Sequence, residues 1–377
     1  MKRFVLRSLS GLEAVVVAEV LLRFGRHAYG IGPREVVVEV SEEEAAAAAA
    51  ELVQLATVDD AFVELATTGP VSRANAGLAE IAAMVNDIDR AAARLVLDWR
   101  AAPWPKELWI TASVLGGRRY SRFDVEDAVG PVLGAKLGLA YRSQREGQTT
   151  ERQPLAFRLT VDQRRTALLL RLADLPLHRR SYWRQNRRGA LYPPLAAAMA
   201  MLADIQLGET VLDPFCGAGT IPIEIDRLTG GAVTVIASDI AGDAVTATRT
   251  NALAAAARIG LFRADISYMP IRPHSIERIV TNPPWNRQVP WDHPRGAGAQ
   301  FNEMLADGGR LVLLDLAAQV ETLGELKWPT LATLPVSLRG QHPVITVYGL
   351  QRRPLTVGIG AGRSIPLDES TRTLTSL

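Results

Sequence analysis

The turn Asn282-Pro283-Pro284-Trp285 has a composition suited to holding a nucleobase by an exocyclic amine. Its two prolines fix the backbone and supply no N–H donors, which leaves nearby carbonyl groups available as acceptors. The side-chain oxygen of Asn282 adds another acceptor, and Trp285 offers a flat face on which a base can stack. A rigid proline turn with an exposed aromatic side chain is the alternative interpretation. We predict that these four residues form the catalytic part of a site.

A second segment, Asp213-Pro214-Phe215-Cys216-Gly217-Ala218-Gly219-Thr220, follows an apolar stretch and precedes a helical pattern. Such strand-to-helix turns lie at the carboxyl ends of the strands of an open α/β sheet, where ligands bind. Gly217 and Gly219 allow positive φ angles and a close backbone approach, and the helix N-terminus offers N–H groups to a carboxylate. Pro222 stands where a dinucleotide fingerprint has its third glycine, and the Gly-Lys-Ser/Thr of a phosphate-binding loop is absent. A turn without a ligand is the remaining alternative.

Two further aspartates repeat this placement at the ends of predicted strands. A carboxylate such as Asp239, at the end of the second strand, can accept both ribose hydroxyls of a nucleoside cofactor. Asp265, at the end of the third, can accept from an adenine amino group. N-capping explains one strand-end aspartate, but three in succession favour a cofactor site. The predicted cofactor-binding residues are Asp213, Phe215, Cys216, Gly217, Ala218, Gly219, Thr220, Asp239, Ile240, Asp265, Ile266 and Asn282.

Acceptors around an exocyclic amine favour methyl transfer to its nitrogen. The lone pair of such an amine is delocalised into the ring, so acceptors for its N–H groups stabilise the charge that develops on nitrogen in the transition state. S-adenosylmethionine is a nucleoside cofactor with a methyl group on a sulfonium, and holding the two reactants together supplies much of the acceleration. The motifs together predict an S-adenosylmethionine-dependent methyltransferase that acts on a nucleobase.

The length of 377 residues predicts two or three domains. Hydrophobic residues make up 48% of the chain, which is enough for a sizeable core, and the net charge of +2 gives no global basic field. The single cysteine, Cys216, excludes an internal disulfide and a cysteine-based zinc site, and we predict no metal. Charged residues at Arg7, Glu13 and Glu19 interrupt the apolar N-terminus, and no apolar run reaches the length of a membrane helix. We therefore expect a cytoplasmic protein without a membrane segment.

Hydrophobic periodicity divides the chain into two α+β units and a C-terminal α/β unit. Residues 1–67 alternate strand and helix patterns, and residues 68–174 end in a hairpin that turns near 162–165. From 193 to 352, strands alternate with helices, which predicts a mainly parallel sheet. Residues 353–377 are rich in Gly, Arg, Ser and Thr, and we predict a flexible tail.

Two arginine-rich segments interrupt these units. The first is the loop at residues 118–122, and the second is residues 175–192, interpreted as a basic linker with five arginines and no acidic residue. Arginines beside aromatic rings suit a phosphate backbone and unstacked bases, although a plain solvated linker is the alternative. The predicted RNA-binding residues are Arg118, Arg119, Arg122, Arg179, Arg180, Arg184, Arg187 and Arg188.

The motifs DPFCGAGTIPIE, at 213–224, and TNPPW, at 281–285, resemble those of the amino-group methyltransferases of nucleic acids. From residue 1 to about 352, the chain is similar to the THUMP-containing RNA guanine-N2 methyltransferases, including its opening Gly11-Leu12-Glu13 and the Leu175-to-Arg180 segment. It departs from the family where Trp285-Asn286 stands in place of a frequent Tyr-Gly ending and where Ser181 stands in place of a frequent glycine.

This resemblance implies an α/β fold whose Rossmann-like class I methyltransferase domain, residues 193–352, follows two N-terminal α+β domains. These would be a ferredoxin-like domain at 1–67 and a THUMP domain at 68–174 that recognises structured RNA, often the acceptor end of tRNA. The resemblance also implies roles for the motif residues. Asp213, Phe215, Gly217 and Gly219 would surround the methionine part of the cofactor, Asp239 its ribose and Asp265 its adenine, and residues 282–285 would hold the target base.

Four functions remain open at this level. The first is methylation of guanine N2 in RNA, with tRNA favoured and ribosomal RNA as the alternative. The second is adenine-N6 methylation of RNA or DNA, because the same Asn-Pro-Pro-aromatic turn serves that chemistry. The third is an RNA-binding module without activity, which the intact motif residues disfavour, and the fourth is a small-molecule methyltransferase, which would leave the N-terminal half without a role.

Overall fold

The computed structural model describes residues 1–26, 30–147, 155–284, 296–316, 326–338, 340–349, 355–358 and 363–367. Within these ranges, the helices lie where apolar residues recur at helical spacing. No described helix has the length and apolar content needed to cross a membrane. The helices are α1 (Glu13–Phe24), α2 (Ala45–Leu52), α3 (Ala76–Met84), α4 (Arg90–Trp99), α5 (Arg122–Leu137), α6 (Pro193–Leu202), α7 (Thr220–Thr229), α8 (Gly242–Ala255) and α9 (Ala297–Met304).

The strands are short and rich in Val, Ile, Leu and Thr, as strand propensity favours. They are β1 (Lys2–Arg7), β2 (Gly30–Gly32), β3 (Glu35–Val40), β4 (Asp60–Thr68), β5 (Glu107–Val114), β6 (Ala140–Tyr141), β7 (Ala156–Val161), β8 (Thr166–Arg171), β9 (Thr210–Asp213), β10 (Thr234–Asp239), β11 (Ile259–Arg263), β12 (Ile276–Thr281), β13 (Leu305–Asp315), β14 (Thr330–Pro335), β15 (Val344–Gly349), β16 (Thr356–Gly358) and β17 (Ser364–Pro366).

Internal packing groups the chain into two compact units. The first contains residues 1–7, 37–54 and 60–177, and the second contains residues 8–36, 55–59 and 178–377. The units therefore interleave along the chain, instead of following the boundaries expected from its periodicity. The identities of the ferredoxin-like and THUMP domains stay predictions.

The first unit is built on one mixed sheet. The strands with residues in this unit follow the order β3-β1-β4-β8-β7-β5-β6 within the eight-stranded sheet. The predicted hairpin is present, because β7 and β8 pair antiparallel across the turn at 162–165, while β5 pairs with β7 in parallel. Helix α5 packs on β5 and begins with a capping box, in which Ser121 and Asp124 exchange hydrogen bonds.

The second unit contains the predicted parallel sheet, in the order β11-β10-β9-β12-β13-β15-β14. The strands from β11 to β13 run parallel, and β15 is antiparallel to both of its neighbours. Numbered along the chain, the order is 3-2-1-4-5-7-6, which is the dinucleotide-fold order 3-2-1-4-5-6 with one antiparallel strand inserted. The Rossmann-like expectation is confirmed. The order reverses between β9 and β12, where such sheets bind ligands.

Helix α1 belongs to the second unit because its apolar face is part of that unit's core. Leu12, Val15 and Leu22 join a buried cluster that includes most residues of α6. Glu19, on the same helix, is fully buried and accepts hydrogen bonds from the backbone of Ala56 and Thr57, which brings residues 55–59 into the unit.

Part of the predicted flexible tail is ordered, and that expectation is wrong for the residues the structure describes. Strands β16 and β17 pair antiparallel. Leu355, Val357 and Leu367 flank or lie within this hairpin and are buried in the core of the second unit. Their apolar side chains alternate with polar ones, so the polar average composition of the segment concealed a strand pattern.

Candidate active site

The predicted site residues lie along one edge of the parallel sheet. Asp213 ends β9, Asp239 ends β10, and Asn282 directly follows the last residue of β12. Neighbouring strands pair in register here, with Ala237 opposite Asp213. The carboxyl ends of parallel strands meet at the same edge of a sheet, so the structure brings these groups together at the reversal of strand order.

Asp213 is the most buried ionisable group of this edge, with 2% of its surface exposed. Its Oδ1 accepts from the Thr281 hydroxyl at 2.7 Å and from the Phe215 N–H at 3.1 Å. Its Oδ2 is buried and has no hydrogen-bond partner among the described residues. Burial raises the pKa of Asp213 to about 7, against the opposing effect of the Thr281 hydrogen bond. An unsatisfied buried carboxylate oxygen of this kind is costly unless a ligand donates to it.

This raised pKa predicts a pH dependence of stability. The unfolded chain releases the Asp213 proton near pH 4, whereas the folded chain holds it up to about pH 7. The folded state therefore binds more protons in this window, and its stability falls as pH rises through it. We expect Asp213→Asn to flatten that fall in urea unfolding of the ligand-free protein. Parallel stability curves for the two proteins between pH 4 and pH 7 would contradict the assignment.

The loop between β9 and α7 depends on its two glycines. Gly217 has φ +54° and Gly219 has φ +83°, both in the left-handed region. A Cβ at Gly219 would lie 2.8 Å from the Thr248 side chain, so a larger residue would displace helix α8 or the loop. Around Gly217 there is open space within 4 Å, and Thr220 begins α7. The loop thus presents backbone to a ligand on one side and packs tightly on the other.

Cys216 and Ala218 contribute to this loop mainly through their backbone. The Cys216 N–H donates to Ser238 O at 3.0 Å, and its buried sulfur accepts from the Thr248 hydroxyl at 3.4 Å. Burial raises the pKa of the Cys216 thiol, so the side chain stays protonated and acts as a packing group. The Ala218 carbonyl accepts from Asn251.

Asp239 is hydrogen-bonded to the loop and still has lone pairs that can accept from a ligand. Its Oδ2 accepts from the Gly217 N–H at 3.0 Å and its Oδ1 from the Ala241 N–H at 2.9 Å. Each carboxylate oxygen has a second lone pair, which leaves room for two hydroxyl donors. The adjacent Ile240 is 58% exposed.

Asp265 lies two residues beyond β11 and caps a single 3-10 turn, Ile266–Tyr268. Its Oδ1 accepts from the Ser267 N–H at 2.9 Å, so capping is part of its role. Ile266 is buried in a core cluster and supports this turn from beneath.

Asn282 has a buried side-chain oxygen with no hydrogen-bond partner in the described part of the chain. Pro283 is buried and Pro284 partly buried, which fixes the backbone that follows. Trp285 lies outside the described residues. The turn therefore offers an unsatisfied acceptor beside Asp213, as the sequence predicted for a group that binds an amine.

Three polar residues of the site escaped the sequence analysis. Thr281 ends β12 and donates a hydrogen bond to Asp213. Thr248 donates to the Gly217 carbonyl at 3.1 Å, and Asn251 donates to the Ala218 carbonyl. A signal existed for the last two, because polar residues three positions apart face the buried side of α8. They escaped notice because helix α8 has a mixed composition in which no apolar stripe stands out.

The structure corrects two of the predicted RNA-binding arginines. Arg118 donates to the carbonyls of Val71, Ser72 and Asp162, so it holds loops together. Arg180 has a side chain only 7% exposed, paired with the buried Glu224. The partly buried Arg118 thus bonds to backbone carbonyls, and the buried Arg180 pairs with a carboxylate, so both guanidinium groups have partners within the fold.

The other arginines remain at the surface. Arg187 is partly buried and paired with Asp243. The exposed residues are Arg119, Arg122, Arg179, Arg184 and Arg188.

Comparison with known proteins places this site in a family. Residues 180–292 match the family model described as UPF0020, RMKL-like, methyltransferase domain. The chain is 33% identical, over 57% of its length, to tRNA (guanine(6)-N2)-methyltransferase of Thermus thermophilus, and 26% identical, over 48%, to U6 snRNA (guanine-N(2))-methyltransferase THUMPD2 of Bos taurus. These alignments span 65% and 36% of the two relatives, less than two thirds of each.

Solved structures of methyltransferases match over a longer part of this chain. The crystal structure of TrmN from Thermus thermophilus matches with a TM-score of 0.69 and 25% identity, covering 93% of this chain and 99% of that one. A possible methylase from Clostridium difficile 630 has a TM-score of 0.72 at 15% identity over 94% of this chain and 99% of its own, which shows the fold alone. Residues 180–292 therefore match a UPF0020-type methyltransferase domain, and the chain is similar to the tRNA and snRNA guanine-N2 methyltransferases.

Proposed function

We propose that this protein is a cytoplasmic enzyme that transfers a methyl group from S-adenosylmethionine to the exocyclic N2 amine of a guanosine in RNA, with tRNA as the favoured substrate. The observation that carries the proposal is the buried, unpartnered Oδ1 of Asn282 at the carboxyl edge of the sheet. An acceptor in that position has no structural partner among the described residues. A donor from a bound amine would satisfy it.

The residues at the edge fit S-adenosylmethionine. The unpartnered Oδ2 of Asp213 suits an ammonium or N–H donor of the methionine part, and the open space at Gly217 allows that part to approach the backbone. Asp239 has lone pairs for the two ribose hydroxyls, and the exposed Ile240 offers an apolar face to the adenine. When bound, the cofactor supplies an electrophilic methyl group.

The chain's own residues would hold and orient the acceptor base. Asn282 accepts a hydrogen bond from the N–H of the exocyclic amine, which increases electron density on nitrogen and stabilises positive charge that develops there. Pro283 and Pro284 have no N–H to compete for that acceptor, and they keep the turn rigid. Orientation of the base by these residues contributes to the rate by keeping the amine close to the methyl group.

Guanine N2 and RNA are favoured over the alternatives by the relatives. Two relatives named as guanine-N2 methyltransferases of tRNA and U6 snRNA align with 57% and 48% of the chain. The TrmN likeness extends over 93% of the chain, so it is not confined to the methyltransferase domain. A THUMP domain at 68–174 that binds RNA is part of the proposal, and the name of the THUMPD2 relative supports it. Exposed Arg119 and Arg122 lie in that unit.

Removing exposed arginines should weaken RNA binding in a salt-dependent way. We expect the variant Arg184→Ala with Arg188→Ala to bind tRNA less tightly, and the slope of log affinity against log salt to decrease by about 0.7–0.9 for each arginine that pairs with a phosphate in the parent protein. Arg94→Ala with Arg272→Ala, two exposed positions with the same charge change, is the matched control. Equal slopes for both double variants, measured by filter binding, would show that residues 184–188 are a spacer.

Nucleoside analysis tests the proposed reaction directly. The protein is incubated with labelled S-adenosylmethionine and, separately, with tRNA, ribosomal RNA or DNA, and the products are digested and identified by mass spectrometry. We expect N2-methylguanosine from tRNA. N6-methyladenine, or label confined to DNA, would replace the proposal with the adenine-N6 alternative, and no label in any polymer would end it.

A further inference from the structure

Asn251 on helix α8 joins two parts of the chain that the proposed function uses separately. It is 1% exposed. Its Oδ1 accepts from the N–H groups of Arg184 and Gln185 at 2.9 and 2.8 Å, and its Nδ2 donates to Gln185 O at 2.9 Å. The second Nδ2 hydrogen goes to Ala218 O at 2.8 Å. The arginine-rich segment at 184–188 and the loop at 216–219 therefore share one side chain.

All the hydrogen-bonding capacity of this amide is used. An asparagine side chain has two acceptor lone pairs and two N–H donors, and these four bonds account for all of them. A buried amide that loses one of its partners pays the desolvation cost of the group left unpaired. Movement of residues 184 and 185 therefore disturbs the bond to Ala218 as well, because one planar amide makes the three bonds to these residues and the single bond to Ala218.

The loop end of this connection reaches the residues assigned to the cofactor. Ala218 lies between Gly217, whose N–H donates to Asp239, and Gly219, which precedes the first turn of α7. Thr248, one helical turn before Asn251, holds the Gly217 carbonyl at 3.1 Å. Two side chains of α8 thus fix two successive carbonyls of the loop, and the carboxylate assigned to the ribose depends on the adjacent Gly217 N–H.

The other end of the connection is at the surface. Arg184 and Arg188 are exposed, and Arg187 pairs with Asp243 in the first turn of α8. The arginine-rich segment is therefore fastened to α8 at two places, Asp243 and Asn251. A polyanion that binds the exposed arginines restrains a segment that is bonded to α8. The same helix is hydrogen-bonded to the loop at 216–219.

Building on the proposed function, we propose that Asn251 is a positioning residue that couples RNA binding at residues 184–188 to cofactor affinity at the loop 216–219. RNA bound at the segment orders the loop and tightens cofactor binding, and by linkage the cofactor tightens RNA binding by the same factor. The coupling needs no contact between Asn251 and either ligand.

The test measures S-adenosylhomocysteine binding by calorimetry, with and without saturating unfractionated bacterial tRNA. This product needs no turnover, so the readout is independent of activity. For the parent protein we expect tRNA to tighten binding about 5-fold or more, within the usual range of coupling between sites. For Asn251→Ala we expect weaker binding without RNA and a tRNA effect below about two-fold at equal RNA saturation. Thr246→Ala, an exposed position on the same helix, should behave like the parent.

Hydrogen exchange on the parent protein tests the same coupling without a variant, which covers the case that Asn251→Ala does not fold. We expect tRNA alone to slow exchange of the amides at 216–219 and to leave those of β11 unchanged. Unchanged exchange at 216–219 with tRNA bound, or an unchanged tRNA effect in a folded Asn251→Ala variant, overturns the coupling. Failure of tRNA to bind at all contradicts the proposed function instead, and it is recognised by the absence of any binding signal.

Discussion

Replacing Asn282 with alanine should abolish most turnover and leave the cofactor site intact. The side chain lies after β12, and its buried Oδ1 has no partner among the described residues. In the proposed reaction that oxygen accepts from the amine only while the base is bound, and it stabilises charge that develops during methyl transfer. We expect kcat to fall by about 10²–10³-fold, as for other single groups that stabilise transition-state charge. Binding of S-adenosylhomocysteine should change by less than about two-fold, since the lost interaction belongs to the transition state.

Single-turnover methylation and calorimetry with S-adenosylhomocysteine separate these two effects. Asn75→Ala is a matched control, because Asn75 is exposed and makes no side-chain capping bond at the start of α3. Unfolding of Asn282→Ala must match that of the parent protein for the comparison to be valid. Equal losses of turnover and of cofactor affinity would place Asn282 among the cofactor ligands and remove the base-binding role.

Local sequence patterns were sufficient to predict most of the second unit. Its parallel strands are short apolar runs, and β9 and β10 are each followed by a helix that begins within a few residues, as the alternation of strand and helix patterns from residue 193 predicted. The strand-end aspartates and Asn282 could be predicted as a group because parallel strands necessarily share an edge. The positions of Asp213, Asp239 and Asn282 follow from that rule.

The elements that were not predicted depend on tertiary contacts. Helix α9 and strand β14 lack a clear period, and their form is set by the sheet on which they pack. The segment from 76 to 99 forms two separate helices, α3 and α4, and Asp89 caps the second one by accepting from the Ala92 N–H. Helix α1 has an ordinary amphipathic pattern, and nothing in its sequence specifies that its partner is α6, far along the chain.

The arginines show most clearly that composition alone does not identify which residues can bind RNA. Arg179 and Arg180 are adjacent and chemically identical, and the sequence assigned both to RNA. The structure exposes Arg179 and buries the side chain of Arg180 against Glu224. The information that decides between them is Glu224 in α7, a buried acid that requires a cation, and the sequence gives no indication of that pairing.

Replacing Arg180 with alanine should destabilise the fold, and replacing Arg179 should not. Arg180 donates to Glu224 through Nε at 3.0 Å and to the Ala56 carbonyl through Nη2 at 2.6 Å. Glu224 is fully buried, and its other donor is the Tyr182 hydroxyl at 2.7 Å. Removing the guanidinium leaves a buried carboxylate without its counter-charge, which costs about 3–5 kcal/mol in comparable buried pairs. We expect the thermal midpoint to fall by on the order of 10 °C.

The matched variant Arg179→Ala removes the same side chain from an exposed position, so its free energy of unfolding should stay within about 0.5 kcal/mol of the parent value. A double variant, Arg180→Met with Glu224→Gln, should recover much of the stability lost in Arg180→Ala, because removing both charges removes the uncompensated one. Tyr182 can still donate to the glutamine oxygen in that variant. Thermal unfolding of the three variants measures these differences in stability. An Arg180→Ala protein as stable as Arg179→Ala would contradict the structural role of Arg180, and Arg180 would again be a candidate for RNA binding.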